Sequence, residues 1–150
     1  IGGLEKQDIP GAVSPSPAHH DRMVQLREQK VAGIAADIPE VVVDEDPGAE
    51  LLVLGWGSTY PAIFAGVRQA RARGARVARA HLRHLNPFPR NLGDVLRRYR
   101  RVLVPELNRG QLRQLLRAEF LVDAIGLNKV QGMPFKTSEI EEKIVEMTRP

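Results

Sequence analysis

Apolar positions alternate along the chain between short continuous runs and longer segments with helical spacing. The uncharged run over 51–56 is typical of a buried parallel strand, and the segment over 60–73 has the spacing of an amphipathic helix. One face of that helix carries Ile63, Phe64, Val67 and Ala70. The same alternation predicts strands over 76–82, 101–105 and 121–130, and helices over 91–99 and 110–120.

The two ends of this regular region add one strand and one helix. The β-branched run over 40–43 predicts a short strand, and Thr137 or Ser138 is predicted to cap a final helix that carries Ile140, Ile144 and Met147. Strands and helices that alternate with loops of a few residues predict an α/β fold, a three-layer α/β/α sandwich around a five-stranded, mainly parallel sheet.

The first part of the chain has a different pattern. Residues 1–15 are rich in glycine and proline and predict an extended connector, whereas Ser16 and Pro17 predict the start of a helix over 17–36. The apolar spacing of this helix is imperfect, which suits an arm that lies on another surface. We therefore divide the chain into a linker and helical arm over 1–38 and an α/β domain over 39–150.

Composition limits the chemistry that these residues supply. The 150 residues are 43% apolar and 27% charged, which suits one globular domain and excludes wholesale disorder. No long uncharged apolar run predicts a membrane span, and no signal peptide is visible, so we expect a cytoplasmic location. The absence of cysteine excludes disulfides, thiolate metal sites and a cysteine-bound iron–sulfur cluster within the chain. The first residue is Ile1, from which we expect a piece of a longer chain.

Charge is strongly segregated along the sequence. Residues 1–50 carry 4 basic and 10 acidic side chains, whereas residues 68–117 carry 14 arginines and only Asp94 and Glu106 as acids. Clustered arginines are typical of nucleic-acid-binding proteins, but neither an aromatic stacking platform nor a nucleic-acid-binding motif accompanies them here. We therefore consider nucleic acid an unlikely partner and expect either intramolecular charge pairing or docking to an acidic partner.

In a parallel sheet, ligands bind beyond the carboxyl ends of the strands, so the loops over 55–59, 84–90 and 105–110 are examined first. The turn over 55–59 resembles half of a phosphate-binding loop, but residue 60 is Tyr and no Walker lysine follows, which favours a plain strand-to-helix turn. His81 and His84 fall on opposite faces of an extended segment, so they do not predict a metal site. Glu106 and Asn108 follow a strand end, where hydrogen bonding to loop backbone is favoured over acid–base catalysis.

Four motifs occur in a fixed order: LLVLGWGSTY at 51–60, HLNPFPRNL at 84–92, VLVPELNRGQL at 102–112 and LVDAIGLNKVQGMPF at 121–135. Together they resemble the C-terminal region of the α subunit of 2-oxoacid:ferredoxin oxidoreductases, in particular the actinobacterial 2-oxoglutarate (KorA-like) type. The GLE motif at 3–5 and the segment HDRMVQLREQK at 20–30 resemble the linker that precedes this region in the family.

The resemblance implies a fold like the C-terminal domain of transketolase, in which the first strand is an antiparallel edge. The family enzyme decarboxylates a 2-oxoacid on thiamine diphosphate with magnesium, passes electrons through an iron–sulfur cluster to ferredoxin, and makes an acyl-coenzyme A (CoA). In the family these cofactors belong to other domains and to the β subunit. The implied partners are the preceding domains of the α subunit, the β subunit, a second α subunit and, for the whole enzyme, ferredoxin.

The resemblance therefore carries no catalytic, cofactor-binding or metal-binding residue onto this chain. It carries a set of motif positions that would shape loops at domain and subunit interfaces. These structural and interface candidates are Gly55, Gly57, Ser58, Asn86, Pro87, Phe88, Pro89, Glu106, Asn108, Gly110, Gln111, Gly132, Pro134 and Phe135. Pro61 and Arg109 depart from the pattern of the family.

Three functions compete at this stage. The first is a non-catalytic structural and subunit-interface domain of such an oxidoreductase. The second is a docking domain whose arginine-rich face, including Arg97, Arg98 and Arg100, binds the CoA nucleotide or ferredoxin. The third is a free-standing nucleotide-binding α/β protein, which rests only on the turn at 55–59 and the general fold.

Overall fold

The structure, a computed structural model, describes residues 3–149 and divides them into two compact units. The first unit contains residues 3–39 and the loop 84–90, and the second contains residues 40–83 and 91–149. Ile1 and Gly2, which opened the predicted connector, lie outside the described residues.

The first unit begins with a small antiparallel hairpin. Strands β1 (Glu5–Lys6) and β2 (Val13–Ser14) pair with each other, and the Gln7 amide donates to the Ala12 carbonyl at 2.9 Å inside the turn. The predicted extended connector is therefore wrong for this stretch. The glycine and proline residues of this stretch belong to a turn instead, in which Gly11 adopts a φ of 68°.

A long helix follows the hairpin, as the sequence predicted. Helix α1 (Pro17–Gly33) starts with proline in its first turn and continues as a 3₁₀ turn over Ile34–Ala36. The Arg27 guanidinium donates to the Glu5 carboxylate at 2.8 Å and so links the helix to the hairpin. None of the side chains of α1 is buried, so this helix gains little stability from a core.

The second unit contains the predicted five-stranded sheet. Its strands are β3 (Val43–Asp44), β4 (Leu51–Trp56), β5 (Val77–Leu82), β6 (Arg101–Glu106) and β7 (Ala124–Asn128). Their spatial order is β3-β5-β4-β6-β7, and only β3 runs antiparallel to its neighbour. The structure thereby confirms the fold class, including the antiparallel edge strand.

Two strand boundaries differ from the prediction for local reasons. The predicted first strand, over 40–43, begins only at Val43, because the Asn91 side chain takes both backbone groups of Val41, at 2.9 and 3.0 Å. The last strand is shorter than the predicted 121–130, since Leu121 adopts a left-handed φ of 54° and ends helix α4 instead.

Four helices cover the two faces of the sheet: α2 (Tyr60–Ala72), α3 (Leu92–Arg97), α4 (Gln111–Phe120) and α5 (Thr137–Thr148). Side chains of α2 and α5 form one continuous buried cluster with Leu51, Val53 and Leu103 of the sheet. The alternate strand residues Leu52, Leu54, Val102 and Val104 are also fully buried, and they point to the opposite face. Phe120 of α4 approaches Gly93 of α3 on that face, which completes the three layers.

The start of α5 corrects a predicted cap. The N-cap position is Lys136, so Thr137 and Ser138 both lie inside the helix. The reason is the Glu139 carboxylate, which accepts the Lys136 amide at 2.6 Å and so closes the first turn one residue earlier than the hydroxyl caps would.

Helices α2 and α5 pack closely at Gly66. A Cβ atom added to Gly66 would lie 2.7 Å from Cβ and Cγ2 of Ile140 and 3.1 Å from the Thr137 carbonyl oxygen. Branched and backbone atoms cannot move aside cheaply, so this position requires glycine. No helix among residues 3–149 is both long and apolar enough to span a membrane.

We predict that Gly66→Ala lowers the free energy of unfolding by about 1–3 kcal/mol, because overpacking outweighs the better helix propensity of alanine. Urea unfolding measures this difference. Gln69→Ala, on the exposed face of the same helix, serves as the control and should change stability by less than about 0.5 kcal/mol. A Gly66→Ala variant as stable as the wild type would show that α5 can shift away from α2.

Candidate functional site

The centre of the candidate site is a buried carboxylate at the carboxyl end of β6. The Glu106 side chain is fully buried, and its Oε1 accepts the Leu112 amide at 2.9 Å while its Oε2 accepts the Arg113 amide at 3.1 Å. Asn108 donates to the same carboxylate through its side-chain amide at 3.2 Å. Glu106 thus satisfies the first-turn amides of α4 at the positive end of the helix dipole.

The loop after Glu106 is fixed by two asparagines. Asn108 Oδ1 accepts the amides of Gly110 and Gln111 at 2.7 and 3.1 Å, and Asn128 donates to the Asn108 carbonyl at 3.0 Å. Gly110 adopts a φ of 90°, which favours glycine at this position. Four of the predicted motif residues therefore form one hydrogen-bonded loop, and the polar groups of this loop bond to one another.

The turn over 55–59 is also closed by its own hydrogen bonds. Thr59 Oγ1 donates to the Trp56 carbonyl at 2.7 Å and accepts the Trp56 amide at 3.2 Å. A Cβ on Gly55 would overlap Ile63 Cδ1 and would approach Thr59 Oγ1 and His81 Nδ1 at 3.1 and 3.2 Å. Gly57 has a positive φ of 57°, and Ser58 is exposed. These residues make a tight strand-to-helix turn, as the sequence favoured.

Beside this turn lies a surface that we call the aromatic–arginine surface, formed by Tyr60, Phe64, Arg68, Arg79 and His81. The Arg79 guanidinium lies 4.5 Å from the Phe64 ring centre and 5.8 Å from that of Tyr60, and Tyr60 contacts the His81 ring edge-on at 5.0 Å. Tyr60 and Phe64 are 45% and 40% exposed. The surface therefore presents aromatic rings whose positions are held by cations.

His81 is the titratable group of this surface. Burial and the positive charges of Arg83 and Arg79 lower the pKa of His81, and a hydrogen bond with the Gly57 backbone only partly offsets them. The imidazole is therefore neutral at pH 7.

The acidic segment over 44–50 pairs with the arginines of the same unit. Asp44 accepts Arg79 at 2.7 Å and Arg71 at 3.3 Å, Glu45 pairs with Arg98 at 3.0 Å, and Glu50 with Arg100 at 3.5 Å. Burial alone would raise the pKa of Asp44, but the hydrogen bonds from Arg79 and Arg71 outweigh it and lower that pKa. The charge segregation seen in the sequence is thus resolved in part by intramolecular pairing.

Tyr99 extends this pairing. Its hydroxyl donates to Glu45 at 2.5 Å, and burial together with the nearby carboxylate raises the pKa of Tyr99 to about 12. Arg97, the remaining arginine of the predicted docking face, pairs with Asp94 at 3.1 Å.

The last motif, before α5, is organised by a lysine that the sequence analysis did not select. Lys129 is buried, and its ammonium donates to the Pro134 carbonyl at 3.1 Å and to both Glu139 oxygens at 3.0 and 2.8 Å. These bonds and that from the Lys136 amide lower the pKa of Glu139. Phe135 enters the core, and Gly132 provides a positive φ of 64°. Pro134 and Phe135 thus belong to an internally bonded loop.

The predicted positions over 86–89 belong to the first unit. Asn86 is exposed, Pro89 is buried, and the Asn86–Pro87 peptide bond is cis. In the same unit Ser14 Oγ and His19 Nδ1 lie 2.7 Å apart.

The structure therefore brings together Glu106, Asn108, Gly110 and Gln111, and it places Gly55 and Gly57 in a second closed turn. Sequence reasoning missed Thr59, Asn128 and Lys129. Lys129 lies between two apolar stretches of the sequence, and this position could have indicated a buried side chain. A buried lysine needs a carboxylate partner. Among residues 3–149, no group of three or more His, Cys, Asp or Glu side chains is arranged to hold a metal ion.

The domain class follows from the topology together with a structural comparison. A solved split-gene transketolase in an inactive β4 tetramer shares the fold, with a TM-score of 0.53 and 16% identity over 75% of this chain and 46% of that chain. The second unit is accordingly a transketolase-C-like α/β domain. No protein-family model matches the sequence.

Two further comparisons give the family. The KorA subunit of 2-oxoglutarate oxidoreductase from Mycobacterium tuberculosis is 53% identical over 141 residues, which are 93% of this chain and 21% of that subunit. A 2-oxoglutarate:ferredoxin oxidoreductase from Magnetococcus marinus, solved with 2-oxoglutarate, coenzyme A and succinyl-CoA bound, matches with a TM-score of 0.86 and 27% identity. That match covers 96% of this chain and 26% of the solved chain. The chain is similar to one region of a KorA-type α subunit, and it spans about a fifth of the length of that curated relative.

We predict that Glu106→Gln lowers the free energy of unfolding by about 2–4 kcal/mol. A glutamine amide would place one N–H donor against the amide of either Leu112 or Arg113 in a buried site, so one pair of donors would face each other without an acceptor. Thermal and urea unfolding measure the loss.

Glu119→Gln is the matched control, because Glu119 is exposed on the same helix. This variant should remain within about 0.5 kcal/mol of the wild type. If Glu106→Gln were as mild as the control, Glu106 would not be holding the start of α4.

Proposed function

We propose that this chain is a non-catalytic structural and subunit-interface domain of a cytoplasmic, thiamine-diphosphate-dependent 2-oxoglutarate:ferredoxin oxidoreductase. The parent enzyme would convert a 2-oxoacid and CoA to acyl-CoA and reduced ferredoxin. The similarity to the KorA subunit supports the parent enzyme, and the closed loops of the second unit support the structural role.

The observation that carries the structural role is the burial of the Glu106 carboxylate and its hydrogen bonds to the start of α4. In α/β domains the carboxyl end of a central strand is where reacting groups commonly project. Here both oxygens accept backbone amides of α4, and Asn108 fills a further position. A carboxylate that is fully buried and bonded in this way is not within reach of a substrate at the surface.

The donor groups of the chain do not fit the cofactors of the parent enzyme. An iron–sulfur cluster needs thiolates, and the sequence contains no cysteine. The turn over 55–59 is closed by the bonds between Thr59 and the Trp56 backbone, and it lacks both the glycine spacing and the Walker lysine of a phosphate-binding loop, so it offers no evident cradle for a diphosphate with magnesium. We therefore assign thiamine diphosphate, magnesium, the cluster and CoA to other parts of the enzyme.

The aromatic–arginine surface is our candidate for the interface. Tyrosine, phenylalanine and arginine are enriched in the central parts of protein–protein interfaces. Tyr60 and Phe64 are nearly half exposed while their rings are already ordered by Arg79, so burying them would cost little additional side-chain entropy. We propose the β subunit as its partner, alongside contacts of other surfaces with the preceding domains and with a second α subunit.

The ion pairs of the candidate arginines do not favour the competing docking function. Arg97, Arg98 and Arg100 were its candidate residues, and each pairs with an acidic side chain of the same unit. A free-standing nucleotide-binding protein is likewise not favoured, because the chain matches one region of a much longer subunit. We retain the division into a linker and arm over 1–38 and an α/β domain over 39–150 as part of the proposal.

We predict that the isolated 150-residue chain binds no thiamine diphosphate and shows no 2-oxoacid-dependent reduction of ferredoxin. Isothermal titration calorimetry with thiamine diphosphate and magnesium measures the binding. The assembled α and β subunits serve as the positive control, and reconstituted activity in the isolated chain would overturn the non-catalytic role.

We predict that Phe64→Ser in the full-length α subunit weakens association with the β subunit by about tenfold or more, because it removes an aromatic anchor from the interface. Co-purification and sedimentation of the mixed subunits measure this change. Leu115→Ser is the matched control, since Leu115 is 52% exposed on helix α4. Equal assembly of both variants would contradict the proposed interface without affecting the non-catalytic role.

A further inference from the structure

A groove lies between the end of β7 and one flank of α5. It has a volume of about 450 Å³ and is lined by the last residues of β7, the loop that follows and four side chains of α5. Leu127 and Phe135 contribute apolar lining, and Val130 adds apolar surface that is 64% exposed. A volume of this size is within the range of known ligand pockets, so the groove is large enough to hold a side chain of a partner.

The charged groups of this groove are arranged with the carboxylates toward solvent. In the pair of Lys129 with Glu139, the glutamate side chain is 38% exposed and the lysine side chain 8%. In the pair of Lys143 with Glu146, these values are 65% and 25%. Glu142 is exposed, and among residues 3–149 it has no ion-pair partner. The groove therefore presents negative charge, and we call it the acidic groove.

The carboxylates of the acidic groove follow one another along one face of α5. Glu142 comes three positions after Glu139 and four positions before Glu146, and side chains at this spacing are neighbours on a helix, where like charges repel. Lys136 also acts on Glu139, but it does not line the groove. Lys143 pairs with Glu146 and leaves Glu142 without a cation. A further positive group beside Glu142 and Glu146 would relieve the repulsion between them.

The adjoining edge of the sheet favours a polypeptide over a free amine. The Lys129 amide donates to the Glu106 carbonyl at 3.0 Å, so alternate residues of β7 face β6, and the backbone groups of Gly126 and Asn128 face outward. Strand β7 is the last in the order of the sheet, so these groups have no neighbouring strand. A segment beside them gains backbone hydrogen bonds, and its alternate side chains point to the face where Leu127 and α5 lie.

We propose that the acidic groove binds a basic segment of another protein, with a lysine or arginine side chain held at Glu142 and Glu146. The methylene groups of that side chain lie against Leu127 and Val130 while its charged end meets the carboxylates. An acidic partner is repelled at the same place, so the surface selects the sign of charge of what it binds. None of the residues of the aromatic–arginine surface takes part, and the reaction of the parent enzyme is not involved.

Fluorescence anisotropy of a labelled peptide of alternating lysine and threonine, titrated with the assembled α and β subunits, measures this binding. We expect binding that weakens as salt concentration rises, because exposed charges are screened. The same peptide with glutamate in place of lysine should not bind. A wild-type enzyme that does not bind the lysine peptide, or that binds both peptides equally, would overturn the proposal.

A double variant locates the binding in the groove. Glu142→Gln together with Glu146→Gln should raise the dissociation constant of the lysine peptide by about three- to tenfold, because two charge contacts are lost. The matched control is Glu40→Gln together with Glu119→Gln, which removes the same charge from two exposed positions outside the groove. If the control pair weakened binding as much, the peptide would be responding to net charge alone, and the proposal would fail.

Val130→Ser tests the contact with the stem of the bound side chain, to which long-range charge attraction is insensitive. We expect the dissociation constant to rise by about threefold, because apolar contact is lost. Leu121→Ser is the control, since Leu121 is 89% exposed and does not line the groove. Equal binding by Val130→Ser and the control would contradict docking in the acidic groove.

Butylamine distinguishes a polypeptide from a free amine, because it has the stem and the ammonium group of lysine without a backbone. We expect it to displace the labelled peptide at least about tenfold less effectively than the unlabelled peptide does, since it lacks the backbone hydrogen bonds at β7. Displacement at equal concentrations would show that the groove binds a free amine and would overturn docking of a protein segment.

Discussion

The second unit depends on how the Glu106 carboxylate meets the start of α4. A strand that ends beneath a helix leaves the first amides of that helix without partners inside the protein, and burying them unpaired would cost stability. Glu106 meets the amides of Leu112 and Arg113, while its own carbonyl accepts the Lys129 amide beyond β7. Glu106 therefore fixes β6, α4 and the end of β7 relative to one another, and its carboxylate has a structural role.

Charge pairing organises the opposite edge of the sheet. In the sequence, an acidic segment that precedes an arginine-rich region suggests a surface that binds an external partner. In the folded unit Asp44, Glu45 and Glu50 each contact an arginine, and Asp46 accepts the Val77 amide at 2.9 Å. Individual exposed pairs contribute little, about 0–1 kcal/mol, but together they join β3 and the acidic turn to β5 and to residues 98–100.

Much of the architecture could be predicted from the sequence, because buried strands and amphipathic helices leave regular apolar spacing. Strand β4 and the start of helix α2 lie where the pattern placed them, and the resemblance correctly implied the antiparallel edge. Failures occurred where a particular polar side chain decides the course of the backbone. Asn91 takes the hydrogen bonds of Val41 and delays β3, and Glu139, three residues further along, moves the N-cap of α5 to Lys136. The hairpin over 5–14 was missed because its strands have only two residues each.

The sequence by itself determined the fold class, the absence of thiolate chemistry and the family resemblance, because these depend on local spacing, residue type and motif order. Only the tertiary structure decided what the polar residues do. Whether Glu106 is a reacting group or a helix partner depends on atoms separated by six or seven positions along the chain and brought together by folding. The same holds for buried Lys129 and for the arginines, whose charge is visible in the sequence but whose partners are set by packing.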